Sequence, residues 1–212
     1  MTVLVALTHS MLVPPREYIP LLPEDALFRA SDLAPDHPEL LEAVLNDMVA
    51  AAQLHSPTPG LFWLGHRTSL GRVRPRPIEV LTHLYGPTSG LALASLSAVN
   101  ALGLSTQVPA YENYAVPYLV EYNAVNVRLI DRAPLRARVH EHLSFTEVTI
   151  LEALAEEDWW DNSRTRSLAH LSEYITRHAD SIDPARLLRG SADEDSLVQE
   201  HLTRVLSGIS AP

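Results

Sequence analysis

YGPTSGLALASLSAVNALGLSTQVP, Tyr85 to Pro109, is the stretch on which the fold turns. It opens with Gly86-Pro87-Thr88-Ser89-Gly90, a tight turn by composition. Leu91 to Leu102 follows with nine apolar residues in twelve. That density predicts a helix buried nearly all round, and Gly103 is placed to stop it. Asn100-Ala101-Leu102-Gly103-Leu104-Ser105-Thr106-Gln107-Val108-Pro109 is then a polar exit. Asn100 needs partners wherever it is buried, and Ser105, Thr106 and Gln107 put several donors and acceptors into one loop.

Downstream, Tyr114 to Val120 and Val125 to Ile130 read as a strand pair, with Val125, Val127 and Leu129 alternating with Asn126 and Arg128. Pro117 puts the first of these at an edge or a bulge. Ser144 and Glu147 have capping-box spacing, flanked by Leu143 and Val148 as a hydrophobic staple, and their helix runs to about Ala155. Ser163 to His178 is a further helix. Asp183-Pro184 opens a short one that Gly190 ends, and Ser191 with Glu194 caps a last one that ends at Gly208.

Upstream, Asp36 to Gln53 is an amphipathic helix, capped by Asp36 and Glu39 with Pro38 in the first turn. Its apolar stripe is Leu40, Leu41, Val44, Leu45, Met48, Val49 and Ala52. Ala26 to Leu33 reads as a short helix or turn, Ser56 to Gly60 as a turn and Leu61 to Leu64 as a strand. Short helix, helix, turn and strand is the order of a winged helix-turn-helix, with the Pro/Gly turn in the wing. Arg67 to Pro77 reads as a linker. It holds Arg67, Arg72, Arg74 and Arg76, with no acid between Asp47 and Glu79. A Pro-Arg run of this kind can track phosphates. Thr2 to Met11 can form two to three helical turns before the prolines at 14, 15, 20 and 23.

The expected architecture is therefore α+β and mostly helical. A winged helix-turn-helix-like domain covers residues 1–66 and an Arg/Pro linker covers 67–77. An α/β domain with a small sheet and C-terminal helices covers 78–212.

The chain has 212 residues and a formal net charge of −10, with no Cys and no Lys. Thiolate metal sites and disulfides are excluded, and the overall charge opposes DNA binding. No leader or membrane span stands out, which predicts a cytoplasmic protein. Catalytic signatures are missing: there is no Gly-rich phosphate loop and no nucleophile elbow. His140-Glu141-His142 and the acids Glu156, Glu157, Asp158 and Asp161 resemble metal ligands in composition, yet a solvated connector accounts for the first and a solvated acidic helix end for the second. No catalytic residue, metal or cofactor is expected, and an enzyme acting on a partner or a nucleotide is the weakest reading.

Asn100 to Pro109 matches without a gap a string found in antitoxins of the AbiEi type, the partners of nucleotidyltransferase-like toxins in type IV toxin–antitoxin systems. A looser resemblance runs from Ala26 to the C-terminus, through Phe28 to Leu33 and Gly60-Leu61-Phe62. The resemblance implies a winged helix-turn-helix domain followed by an antitoxin domain. It also implies repression of the protein's own promoter and neutralisation of a toxin encoded next door. Asn100, Ser105, Thr106 and Gln107 are then the antitoxin motif, and the chain a monomer or weak dimer. The helix that should read DNA is acidic outside, with Glu39, Glu42 and Asp47. DNA contact is therefore expected from Arg67, Arg72, Arg74 and Arg76, with Asn46 and Gln53 alone on the helix suited to base contact. The alternative is a protein-binding antitoxin whose first domain no longer binds DNA.

Overall fold

The computed structural model describes residues 24–122 and 124–209, and the helix expected over Thr2–Met11 lies outside them. The fold is α+β, with nine α-helices and small sheets among the described residues. It divides into two compact units. One runs to His83 and includes Glu121–Ala124; the other holds Leu84–Val120 and the chain from Val125 onward.

In the first unit, β1 (Leu27–Phe28) leads to α1 (Ala30–Leu33) and α2 (Pro38–Ala50). The hairpin β2 (His55–Thr58) and β3 (Leu61–Trp63) then pairs back, in the order β1-β3-β2. Gly60 turns the hairpin at φ +71°, a conformation that favours glycine. Helix α2 starts at Pro38 behind His37, whose side chain makes no cap; the expected Asp36 cap is absent. Pro38 itself supplies the start, because its fixed φ suits the first helical turn. The buried stripe is narrower than the sequence pattern: Leu41, Leu45 and Met48 are inside, while Leu40 is 49% exposed. These three pack with Phe28, Leu54, Phe62 and Leu64, each fully buried side chain contributing about 1.5–3 kcal/mol.

Helix α2 ends by a Schellman arrangement. Gln53 N–H donates to Met48 O at 2.9 Å and Ala52 N–H to Val49 O at 2.9 Å. The left-handed residue is Ala52, at φ +56°.

The segment 67–77 is not a plain linker. It forms a second hairpin, β4 (Arg67–Thr68) with β5 (Gly71–Arg72), and supplies the first residue of α3 (Pro77–Tyr85). The boundary between the units falls later, between His83 and Leu84.

In the second unit, Gly86 and Gly90 turn the chain at φ +88° and +83°. The apolar run after them is not one helix. Ala92–Leu93 is a strand, β6, and the helix α4 (Ser95–Ala101) begins only after it. A continuous apolar run suits a buried strand as well as a buried helix, and composition alone cannot separate them. Strands β7 (Glu112–Val116) and β8 (Val127–Asp131) complete a sheet ordered β6-β7-β8. β7 is central, antiparallel to β6 and parallel to β8. Pro117 therefore stops β7 at its end and does not place it at an edge.

Helices α5 (Arg136–His140), α6 (Phe145–Leu154), α7 (Arg164–Arg177), α8 (Pro184–Gly190) and α9 (Ser196–Ile209) surround this sheet's core. Ser144 and Glu147 form the predicted capping box of α6: Ser144 N–H donates to Glu147 Oε2 at 2.8 Å, and Glu147 N–H to Ser144 Oγ at 3.3 Å. Leu143 and Val148, both fully buried, sit at the two staple positions. Asp183 caps α8 through Ala185 N–H and Arg186 N–H.

Gly190 does not end α8 by a left-handed turn. It is the helix's last, buried residue, where a Cβ would stand 2.6 Å from Leu143 Cδ1. The predicted Ser191–Glu194 cap of α9 is not formed. Ser191 closes α8, and the Glu194 carboxylate is drawn to Arg138 at 2.6 Å. Gly208 lies inside α9, where a Cβ would stand 2.8 Å from Ser172 Oγ.

Helix α6 carries two buried carboxylates. Glu152, 1% exposed, accepts from Arg132 at 2.8 Å and from Arg138 at 2.5 Å. Arg138, itself 2% exposed, also holds Glu194. Burial pushes the Glu152 carboxyl up, but the Arg132 hydrogen bonds and the Arg138 charge overcome it and leave it below the usual range. Glu147 is also held low: burial opposes, while Arg186 and the Ser144 and Asp183 amides prevail.

Three outcomes follow from this packing. Glu152→Ala, which leaves Arg132 without its anion and Arg138 with Glu194 alone, should cost about 3–5 kcal/mol in urea titrations. Both carboxyls ionise at lower pH folded than unfolded. Their contribution is therefore complete above the ordinary carboxyl value of 4.5 and is lost as pH falls through the lowered folded values, a drop that denaturation midpoints measured against pH should show. Ala52→Gly should raise stability by about 0.5–1 kcal/mol, because relief of left-handed strain exceeds the added unfolded-chain entropy.

Candidate functional site

The exit from α4 is built as a clamp. Gly103, at φ +71°, ends the helix, with its N–H on Asn100 O at 3.0 Å and Leu104 N–H on Val99 O at 2.9 Å. His170 Nε2 donates to Leu102 O at 2.9 Å. The Asn100 side-chain amide then reaches across the loop and donates to Ser105 O at 3.1 Å and Gln107 O at 3.0 Å.

Asp161 closes the loop from outside. It accepts from Ser105 Oγ at 2.9 Å, from Thr106 N–H at 2.5 Å and from Thr106 Oγ1 at 2.8 Å. Its own N–H donates to Leu104 O at 3.0 Å. The Thr106 hydroxyl and amide, with the Ser105 hydroxyl, hold the Asp161 carboxyl below its usual range.

Asn100, Ser105 and Thr106, grouped by the sequence, are thus joined in one network through Asp161. Gln107 and Val108 face solvent, Val108 with 85% exposure. Asp161 was legible only as one of a cluster of acids. Two other members of that cluster have separate partners: Ser95 for Glu156 and Arg164 for Glu157. Trp160 is buried and donates its indole N–H to Ala153 O at 3.1 Å, while Trp159 is 42% exposed.

His140 ends α5, and Glu141 pairs with Arg189 at 2.7 Å. His201 is fully buried and its Nδ1 donates to Leu154 O at 3.1 Å. Among the described residues no group of three His, Cys, Asp or Glu is placed to hold a metal ion. An open concavity of about 460 Å³ is lined by Ser95, Asn113, Arg128 and Trp159. Arg128 lies 3.9 Å over the Tyr111 ring.

In the first unit, Arg67 and Arg72 stand directly opposite each other in the β4–β5 hairpin. Arg72 folds back, Nη1 donating to Gly65 O at 2.8 Å. Arg76 is neutralised by Glu79, with Nη2 to Oε1 at 2.8 Å. Arg67 and Arg74 are exposed. Arg74 adds to burial, the larger cause, in keeping the His55 imidazole below its usual range. Asn46 is exposed on α2 beside exposed Asp47, and Glu39 lies 3.7 Å from His37.

No protein-family profile and no curated protein matches the chain. Among solved structures, the RV2827C protein from Mycobacterium tuberculosis is similar over 93% of this chain and 76% of its own, at 13% identity and a TM-score of 0.47. No helix among the described residues is long and apolar enough to cross a membrane.

Removing the clamp should loosen the loop without unfolding the unit. In Asp161→Ala, the Thr106 amide should exchange with solvent faster, with helix content unchanged by circular dichroism. In the unmodified chain the protection of the same amide, its exchange relative to an unstructured amide at the same pH, should fall as pH drops through the lowered Asp161 value.

Proposed function

We propose that the chain is the antitoxin of a type IV toxin–antitoxin operon, neutralising a nucleotidyltransferase-like toxin and repressing its own promoter. The observation that carries this reading is the ten-residue string Asn100–Pro109. Asn100, Ser105 and Thr106 are spent on holding one loop shape together with Asp161, and that shape presents Gln107 and Val108 outward. A loop whose hydrogen bonds are all internal is pre-organised, which lowers the ordering cost of meeting a partner. Protein–protein recognition suits such a surface better than catalysis.

The promoter half rests on the first unit, where a short helix, a longer helix and a hairpin follow one another and arginines cluster on the next hairpin. A second reading keeps the antitoxin role and drops DNA. It is favoured by Glu39 and Asp47, which would lie against phosphates if α2 entered a major groove.

Co-expression with the neighbouring nucleotidyltransferase-like gene tests the first half: growth should be rescued by the native chain and not by Asn100→Ala. Absence of rescue by the native chain would overturn the antitoxin reading. Gel shifts with the upstream region at several salt concentrations separate the two readings of the first unit, since DNA binding at low salt excludes the second.

A further inference from the structure

We propose that the β4–β5 hairpin is a minor-groove arm, with Leu70 as an apolar wedge between base pairs and Arg67 and Arg74 on the flanking phosphates. The proposal deepens the DNA-binding half of the function above and rests on it.

The arm has a fixed root. At Gly65 a Cβ would stand 1.9 Å from Val73 O, so only glycine lets the two strands meet there. Trp63 Nε1 donates to the same carbonyl at 2.8 Å, and Val73 N–H donates to His66 O at 3.1 Å. His66 is in turn held by Asp25, 3.0 Å from its Nδ1.

The tip is fixed as well. Thr68 Oγ1 donates to Gly71 O at 2.7 Å and accepts from Leu70 N–H at 3.2 Å. Gly71 supplies φ +116°. This turn holds Leu70 in water at 99% exposure. Nothing in the unit gains from the Leu70 side chain, and water opposes it.

Charge selects the occupant. Arg67 faces Arg72 across the ladder, and because Arg72 is folded back onto Gly65 O, Arg67 is left as the exposed cation of the pair. Arg74 follows on the same segment. Asp25 and Glu79, the acids nearest in this unit's ion pairs, are engaged by His66 and Arg76. An apolar tip between arginines matches the minor groove, where wedges unstack a base step while cations hold the backbone on either side. The acidic outer face of α2 removes the competing geometry, a helix in the major groove. The step opened would be a flexible pyrimidine–purine one, the cheapest to kink.

The test uses the full chain and an end-labelled duplex carrying the region upstream of its gene, with a mixed-sequence duplex beside it. Energy transfer between the ends reports bending, and permanganate reports unstacked thymines. The native chain should bend the upstream duplex and create a permanganate-reactive thymine. Leu70→Ala, which removes no intramolecular contact, should lose both signals and bind about tenfold more weakly. Arg67→Gln should keep the bend at low salt and reduce the slope of log affinity against log salt by about 1.

Equal bending and permanganate reactivity in Leu70→Ala would overturn the wedge while leaving promoter binding intact. Unchanged DNA binding with loss of toxin co-purification in Leu70→Ala would assign the tip to a protein partner and overturn it too. No binding by the native chain at low salt would end the promoter reading and this inference together. Neutralisation, read from growth, would stand apart.

Discussion

Glu152 can be charged inside the second unit only because Arg132 and Arg138 meet it there, and much of that unit is arranged around this fact. Helix α6 is buried from Glu147 to Leu154, so both its carboxylates need partners from other elements. Arg132 comes from the exit of β8, Arg138 from α5, and Glu194 reaches Arg138 from the segment before α9. At the other end Glu147 accepts from Asp183 N–H at 3.0 Å and from Arg186, fixing the start of α8. Apolar packing would hold these elements together. The ion pairs decide where along α6 each one sits, because a sliding element would leave a buried charge alone.

That arrangement explains which features were legible in the sequence. The α6 capping box, its staple, the Asp183 cap and the Gly103 stop are local, written within five residues, and the structure shows each. Apart from the absent Asp36 cap, the larger differences lie where a distant partner decides. Glu194 looks like a cap until Arg138 claims it. Leu91 to Leu102 looks like one helix until Tyr114 and Ala115 of β7 pair with Leu93 and Ala92. Arg67 to Pro77 looks like a linker because its arginines and prolines hide a ladder only two pairs long. Pro117 points to an edge or a bulge, but a proline just beyond a central strand breaks no ladder.

The loop after α4 shows the same division. Asn100, Ser105, Thr106 and Gln107 lie together in the sequence, and a helix exit with polar residues must satisfy the buried ones nearby. Asp161 lies more than fifty residues away, among acids of the same appearance, and nothing in its own neighbourhood distinguishes it. Only the geometry singles out the one carboxylate that takes both the Ser105 and the Thr106 hydroxyls.

Electrostatics sets how an acidic chain could meet a polyanion at all. With a net charge of −10, long-range attraction is unfavourable, and contact depends on fields that act within about one Debye length, roughly 8 Å at physiological salt. A broad helical face carrying Glu39 and Asp47 brings acids inside that range along with any Asn46 contact. The β4–β5 hairpin does the opposite, with Arg67 and Leu70 both exposed on it. On the proposed reading the acidic face would limit binding elsewhere on the duplex, since only a site that admits the arm would offset the repulsion. Specificity would arise from deformability of the step that opens, and only secondarily from base edges read by a helix.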